Sequence, residues 1–101
     1  MVEFANRAVV PPHVLIRHLD GESVLLNLES ERYFGLDATG SRIWELVTTS
    51  SNIDAALDTL EHEFDVQPEL LRQHLAQLLA ELVENGLLAL VPTDVGTIPA
   101  L

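Results

Sequence analysis

The side chains able to do chemistry are His13, His18, His62 and His74, the hydroxyls of Ser23, Ser30, Ser41, Ser50 and Ser51, and a dense set of carboxylates. His62-Glu63 begins the H-E-x-x-H pattern, in which two histidines one helical turn apart hold zinc beside a glutamate base. Position 66 is Val66, so the second ligand is missing. His13 and His18 stand five residues apart in an extended stretch, which sends them to opposite faces. His74 has Leu78, not an acid, one turn further on. No serine shows the base and orienter that activate a nucleophile. Thr39-Gly40 belongs to no G-x-x-x-x-G-K phosphate loop. Carboxylate pairs abound on any surface this acidic and so mark no acid–base couple. Cysteine is absent, which removes disulfides and thiolate metal sites. The expectation is a protein that is not an enzyme, with no catalytic residue, no metal and no cofactor.

Charge narrows the partners. Sixteen acids face five bases, a formal charge of −11, and every base is an arginine: Arg7, Arg17, Arg32, Arg42 and Arg72. Such a surface repels phosphate backbones, so no nucleic-acid partner is expected. Apolar residues make up 48% of 101 residues, enough for one small domain with a true core. No apolar run approaches the roughly 18 residues of a membrane span. No basic-then-apolar leader opens the chain. A cytoplasmic protein without membrane contact is expected, in keeping with the missing cysteines.

The elements that must position any site follow from spacing. Residues 1–12 lack a period, end in Pro11-Pro12 and read as an N-terminal arm; a domain is expected over 13–91 and a loose tail over 92–101. His13 to Leu19 and Glu22 to Leu28 read as strands joined by an Asp20-Gly21 hairpin turn. After the polar Glu29-Ser30-Glu31, Arg32 to Leu36 reads as a third short strand. Asp37 suits a helix N-cap, with Thr39 or Gly40 as alternative starts a few residues on; Ile43, Leu46 and Val47 follow at helical spacing with Trp44 beside them. A second helix, capped by Ser51 or Asn52, carries Ile53, Ala56, Leu57, Leu60 and Phe64 on one face. A third runs from Pro68 at its first turn to Asn85, with Gly86 to stop it. Its apolar stripe of Leu70, Leu71, Leu75, Leu78, Leu79, Leu82 and Val83 is wider than a two-layer helix needs. Leu87 to Val91 reads as a last short extended piece.

Three strands then three helices predict an α+β, winged-helix-like domain, a three-stranded antiparallel sheet followed by three helices. Winged helices often read DNA. Here the third helix offers only Arg72, Gln73, His74 and Gln77 against Glu69, Glu81 and Glu84. A transcriptional regulator, or an interaction scaffold, is therefore the alternative and not the first reading. A sheet edge beside an apolar helix suits an extended peptide, held by backbone hydrogen bonds and selected by side-chain pockets. The only Tyr, the only Trp and one of three Phe fall within Glu31 to Val47, at the junction of third strand and first helix. Tyr33 and Phe34 alternate across that strand, so one faces the core and one does not. Trp44 reads as core, and Gly35 as a site of close backbone approach or a local bend.

The segment L-N-L-x-x-x-x-Y-F-x-L-D-x-T-G-x-x-I-W-E-L, residues 26–46, resembles the PqqD-like family of peptide-modification chaperones, also called RiPP recognition elements. The resemblance continues through the F-D-V-Q-P-E connector and the helix ending E-N-G-L-L, over about residues 13–91. Its form is similar to stand-alone members of lasso-peptide pathways. The resemblance implies a three-stranded sheet on three helices that binds the leader of a ribosomally made precursor peptide. It implies that the leader adds beside the third strand, in the groove with the third helix. It further implies delivery to a modifying enzyme, either a leader peptidase with a cyclase or a radical SAM maturase. Carried onto this chain, the peptide-binding candidates are Arg32, Tyr33, Phe34 and Gly35 on the strand. Arg72, Leu75, Ala76 and Leu79 are the candidates on the helix, chosen from spacing. A free edge also allows edge-to-edge pairing, so a monomer or weak dimer is expected.

Overall fold

The computed structural model describes residues 4–92. The elements run β1 (Arg7–Val9), β2 (Val14–Leu19), β3 (Glu22–Asn27), β4 (Arg32–Leu36), α1 (Ala38–Thr49), α2 (Ile53–Glu63), α3 (Pro68–Glu84) and β5 (Ala89–Val91). The strands β2, β3 and β4 form an antiparallel sheet in that order, and β1 pairs with β5. The expected α+β class, with a winged-helix-like three-stranded sheet and three helices, is what the chain adopts.

The meander follows from its turns. Asp20 and Gly21 both take positive φ, 48° and 85°, between the paired Leu19 and Glu22. That is the two-residue turn whose twist matches the flanking strands. Along β3, Ser23, Leu25 and Asn27 are buried while Val24 and Leu26 are half-buried. One face of the sheet thus closes the core and the other is left to solvent. The core joins Leu25 and Leu36 to Ile43, Trp44 and Val47 of α1, Ile53 and Leu60 of α2, and Leu71, Leu75, Leu79 and Leu82 of α3.

The helices begin where the sequence predicts. The Asp37 carboxylate accepts from the Gly40 amide at 2.8 Å, and the Asn52 side chain accepts from the Ala55 amide at 2.8 Å. Pro68 occupies the first turn of α3. Arg42 of α1 donates to Glu63 of α2, its Nε–H reaching Oε1 at 2.8 Å, and to Glu45. The guanidinium holds the Glu63 carboxyl below its ordinary value.

Of the arm expected over residues 1–12, the described part, from Phe4 on, packs against the domain. Phe4 and Ala8 are buried in the core, and Arg7–Val9 pairs with Ala89–Val91. The carbonyls of Phe4 and Asn6 accept from the amides of Asp54 and Ile53, both at 2.9 Å, so this segment also covers the start of α2. A three-residue strand shows no period, and its partner lies some eighty residues away, so nothing local announces it. Of the expected tail, only Pro92 is described; residues 93–101 lie outside the described residues.

One polar knot fixes the end of α3 to the sheet. Asn27, 6% exposed, accepts from the amides of Glu29 and Ser30 at 2.9 and 3.2 Å and donates to the Asn85 carbonyl at 3.0 Å. His13 Nε2–H donates to the Gly86 carbonyl at 3.0 Å. Gly86 has φ 71°, and a Cβ there would stand 2.8 Å from Asn27 Nδ2. An Asn27→Ala substitution strips partners from three backbone groups. We expect it to cost about 1–3 kcal/mol in urea unfolding, while Asn27→Ala in a chain already carrying Gly86→Ala costs less, because the two share one contact.

Candidate functional site

Backbone hydrogen bonding defines the free edge of β4. The Leu28 amide donates to the His13 carbonyl at 2.9 Å. Hydrogen-bonded pairs alternate in an antiparallel ladder, so Leu15–Leu26, Arg17–Val24 and Leu19–Glu22 also bond across β2 and β3. Ser23, Leu25 and Asn27 must then turn their backbone groups to β4, where they face Leu36, Phe34 and Arg32. The amides and carbonyls of Tyr33 and Gly35 are left pointing outward. Among the described residues no strand takes them up.

A cleft of about 320 Å³ lies along this edge. Phe34, Leu36, Ile43 and Leu78 give it an apolar floor; His74 and Glu81 of α3 and Asp37 at the start of α1 give it a polar rim. The depression continues along α3 past Gln77. Phe34 and Leu36 turn inward from β4, and Tyr33 and Gly35 lie on the opposite face of the sheet. At the far end of the strand, Arg32, Tyr33 and Phe34 border a small notch with Asn27, Asn85 and Leu87.

The residues expected from sequence divide accordingly. Phe34 and Gly35 line the cleft, and Arg32 and Tyr33 are exposed along the same strand, Tyr33 at 76%. On α3 the structure places the four expected residues away from the cleft. Leu75 and Leu79 are fully buried in the core, and Ala76 is half-buried against it. Arg72 lies over the Phe4 ring, 4.2 Å from its centroid, where it makes a cation–π contact with the N-terminal segment. The wall that faces β4 is His74, Leu78 and Glu81, a stripe about 100° around the helix from Leu75, Leu79 and Leu82. The signal was the width of the apolar stripe: with Leu71, Leu75, Leu79 and Leu82 filling the core, Leu78 is left half-buried at its margin, in the wall of the cleft.

The other reactive side chains serve the fold. The Ser41 hydroxyl donates to Ser23 Oγ at 2.8 Å, and Ser23 Oγ lies 3.1 Å from His18 Nδ1. His18 and Ser23 face each other across the hairpin, and the Ser41 contact ties β3 to α1; Ser23 is 1% exposed. His62 Nδ1–H donates to the Asp58 carbonyl at 2.8 Å, which raises its pKa. Among the described residues no group of three His, Asp or Glu gathers to hold a metal, and no helix is long and apolar enough to cross a membrane. The exposed positions of α3 include Glu69, Gln73, His74, Gln77, Glu81 and Glu84. A helix so acidic is poorly made to lie in a DNA groove.

A short sheet with an open edge strand running beside a helix-walled apolar cleft is the architecture of a module that takes an extended segment by strand addition. Within that class the chain belongs to the PqqD family: the model for coenzyme PQQ synthesis protein D (PqqD) matches residues 22–88. It is similar to TbiB1, solved in complex with the TbiA(beta) leader peptide. The identity is 34% over 79% of this chain and 93% of that one, with a TM-score of 0.72. It also shares its fold with lasso peptide synthetase B1 complexed with the leader peptide, at 24% identity, covering 82% and 98% of the two chains, with a TM-score of 0.72. Comparison with curated proteins gives no match.

Proposed function

We propose that this chain recognises the leader of a ribosomally made precursor peptide and presents the precursor to a maturation enzyme, catalysing no reaction itself. The observation that carries this reading is the row of outward backbone groups on Tyr33 and Gly35 beside the cleft walled by His74, Leu78 and Glu81. The 34% identical TbiB1, solved with a leader peptide, supports it. The leader adds as a fourth strand to β4. Its backbone bonds to Tyr33 and Gly35, and every second side chain drops onto Phe34, Leu36 and Leu78. Glu81 at the rim and the net charge of −11 favour basic residues beside those apolar anchors. The enzyme served is a leader peptidase working with a cyclase, with a radical SAM maturase as the alternative. The protein works in the cytoplasm, where such precursors are made. It acts as a monomer when loaded, because the leader fills the edge through which two copies would pair.

Calorimetric titration tests the reading with three peptides: a whole precursor encoded beside this chain, its leader alone, and its core alone. Leader and whole precursor are expected to bind equally and the core not at all. A core that binds as well as the whole precursor would overturn it.

A further inference from the structure

Gly35 is an unexplained choice for the fold. A glycine inside a strand lowers stability through lost packing and greater freedom in the unfolded chain. Nothing in the structure requires it. Its φ lies outside the left-handed region, and a Cβ built there meets no atom within 4 Å. A β-branched residue would suit the strand better.

What the missing side chain leaves is a bare, open stretch of the sheet face opposite the cleft. Gly35 pairs with the half-buried Val24, and Tyr33, 76% exposed, stands two residues along on the same face. The row beside it continues from Tyr33 to Leu26 and to Leu15, itself 48% exposed. Apolar surface therefore borders the bare glycine where one strand more would lie. In an added strand, the residue bonded to the outward amide and carbonyl of Gly35 puts its side chain on this face. A bulky flat side chain leans over the bare glycine onto Val24 and meets Tyr33 at its flank. Aromatic rings cover an edge glycine in this way and gain from an aromatic neighbour.

We propose that Gly35 is a specificity-determining residue that admits an aromatic side chain of the bound peptide, on the sheet face opposite the cleft. The inference rests on strand addition to β4. The peptide is then read on both faces: apolar anchors in the cleft and one aromatic residue over Gly35.

The test is a size exchange. A random peptide pool is displayed and selected in parallel against the wild-type chain and Gly35→Val, with thermal melting to show that the variant is folded. Wild-type selection is expected to converge on an aromatic residue at one position, with apolar residues one place to either side. Selection on Gly35→Val shifts that position to Gly, Ala or Ser. Peptides selected on the wild type bind Gly35→Val roughly tenfold more weakly or worse, and exchanging their aromatic residue for alanine restores binding to the variant. Equal binding of the same peptides to both proteins overturns the role of Gly35 and leaves strand addition standing. Peptides that bind without protecting the Tyr33 and Gly35 amides from exchange overturn strand addition, as does a pool that yields no binder.

Discussion

A proline at Gly35 leaves the domain folded and removes peptide binding, whereas a proline at Phe34 unfolds it. The two residues are neighbours on β4, yet their amides point in opposite directions. The Gly35 amide faces the open edge, where proline is tolerated in a sheet. Its ring then occupies the line along which a fourth strand would approach. Losing one charge-neutral hydrogen bond alone weakens binding by about 0.5–1.5 kcal/mol. Displacing the peptide backbone from the neighbouring Tyr33 bond and from the cleft brings the expected loss to about 100-fold or more. Phe34 lies opposite Leu25, at a bonded pair of the ladder, and its ring packs against the core. Proline there removes a ladder bond and the ring together. The expected cost is on the order of 3–5 kcal/mol, a large share of what holds a domain of this size. Circular dichroism melts report the first half of the contrast and anisotropy of a labelled leader the second. An unfolded Gly35→Pro together with a folded Phe34→Pro would mean that the ladder alternates the other way.

The second contrast lies on α3. Leu79→Ala is expected to destabilise by about 2–5 kcal/mol, because Leu79 is fully buried and its removal opens a cavity in the core. For a domain of this length the melting midpoint falls by roughly 8–40 °C. Leu78, one residue earlier, is half-buried in the wall of the cleft. Leu78→Asp places a carboxylate beside Glu81 and in the path of the peptide's apolar anchors. Its stability loss is expected to stay near 1 kcal/mol, while leader affinity drops by about 100-fold. A leader that binds Leu78→Asp as well as it binds the wild type would move the apolar anchors out of this cleft.

That one-residue offset shows where sequence reading reaches its limit here. The strand turn at Asp20-Gly21, the caps Asp37 and Asn52, the proline start of α3 and its stop at Gly86 are all local signals. Each acts through the backbone of its own turn, and each was legible. The edge position of β4 was legible too, since Arg32 to Leu36 is the last strand of a meander. The rotation of α3 is a tertiary fact: seven apolar residues cover more than half its circumference, and only packing decides which of them face the core. Leu75 and Leu79 were as good candidates as Leu78 until the positions of α1 and β4 were known. Arg72 was drawn away by Phe4, in a segment with no period of its own. In the link from Ser41 through Ser23 to His18, the His18–Ser23 pair follows from the Asp20-Gly21 hairpin, whereas the contact of Ser41 with Ser23 depends on how α1 packs on the sheet.

The central claim is that a peptide becomes a strand beside β4, and amide hydrogen exchange of the labelled protein with and without bound leader tests it most directly. In the free protein the Tyr33 and Gly35 amides should exchange quickly, while those of Phe34 and Leu36 are held in the ladder. Bound leader should slow Tyr33 and Gly35 by at least tenfold, leave Phe34 and Leu36 nearly as they were, and shift the signals of His74, Leu78 and Glu81. Saturating leader that leaves Tyr33 and Gly35 exchanging at their free rates would contradict the account.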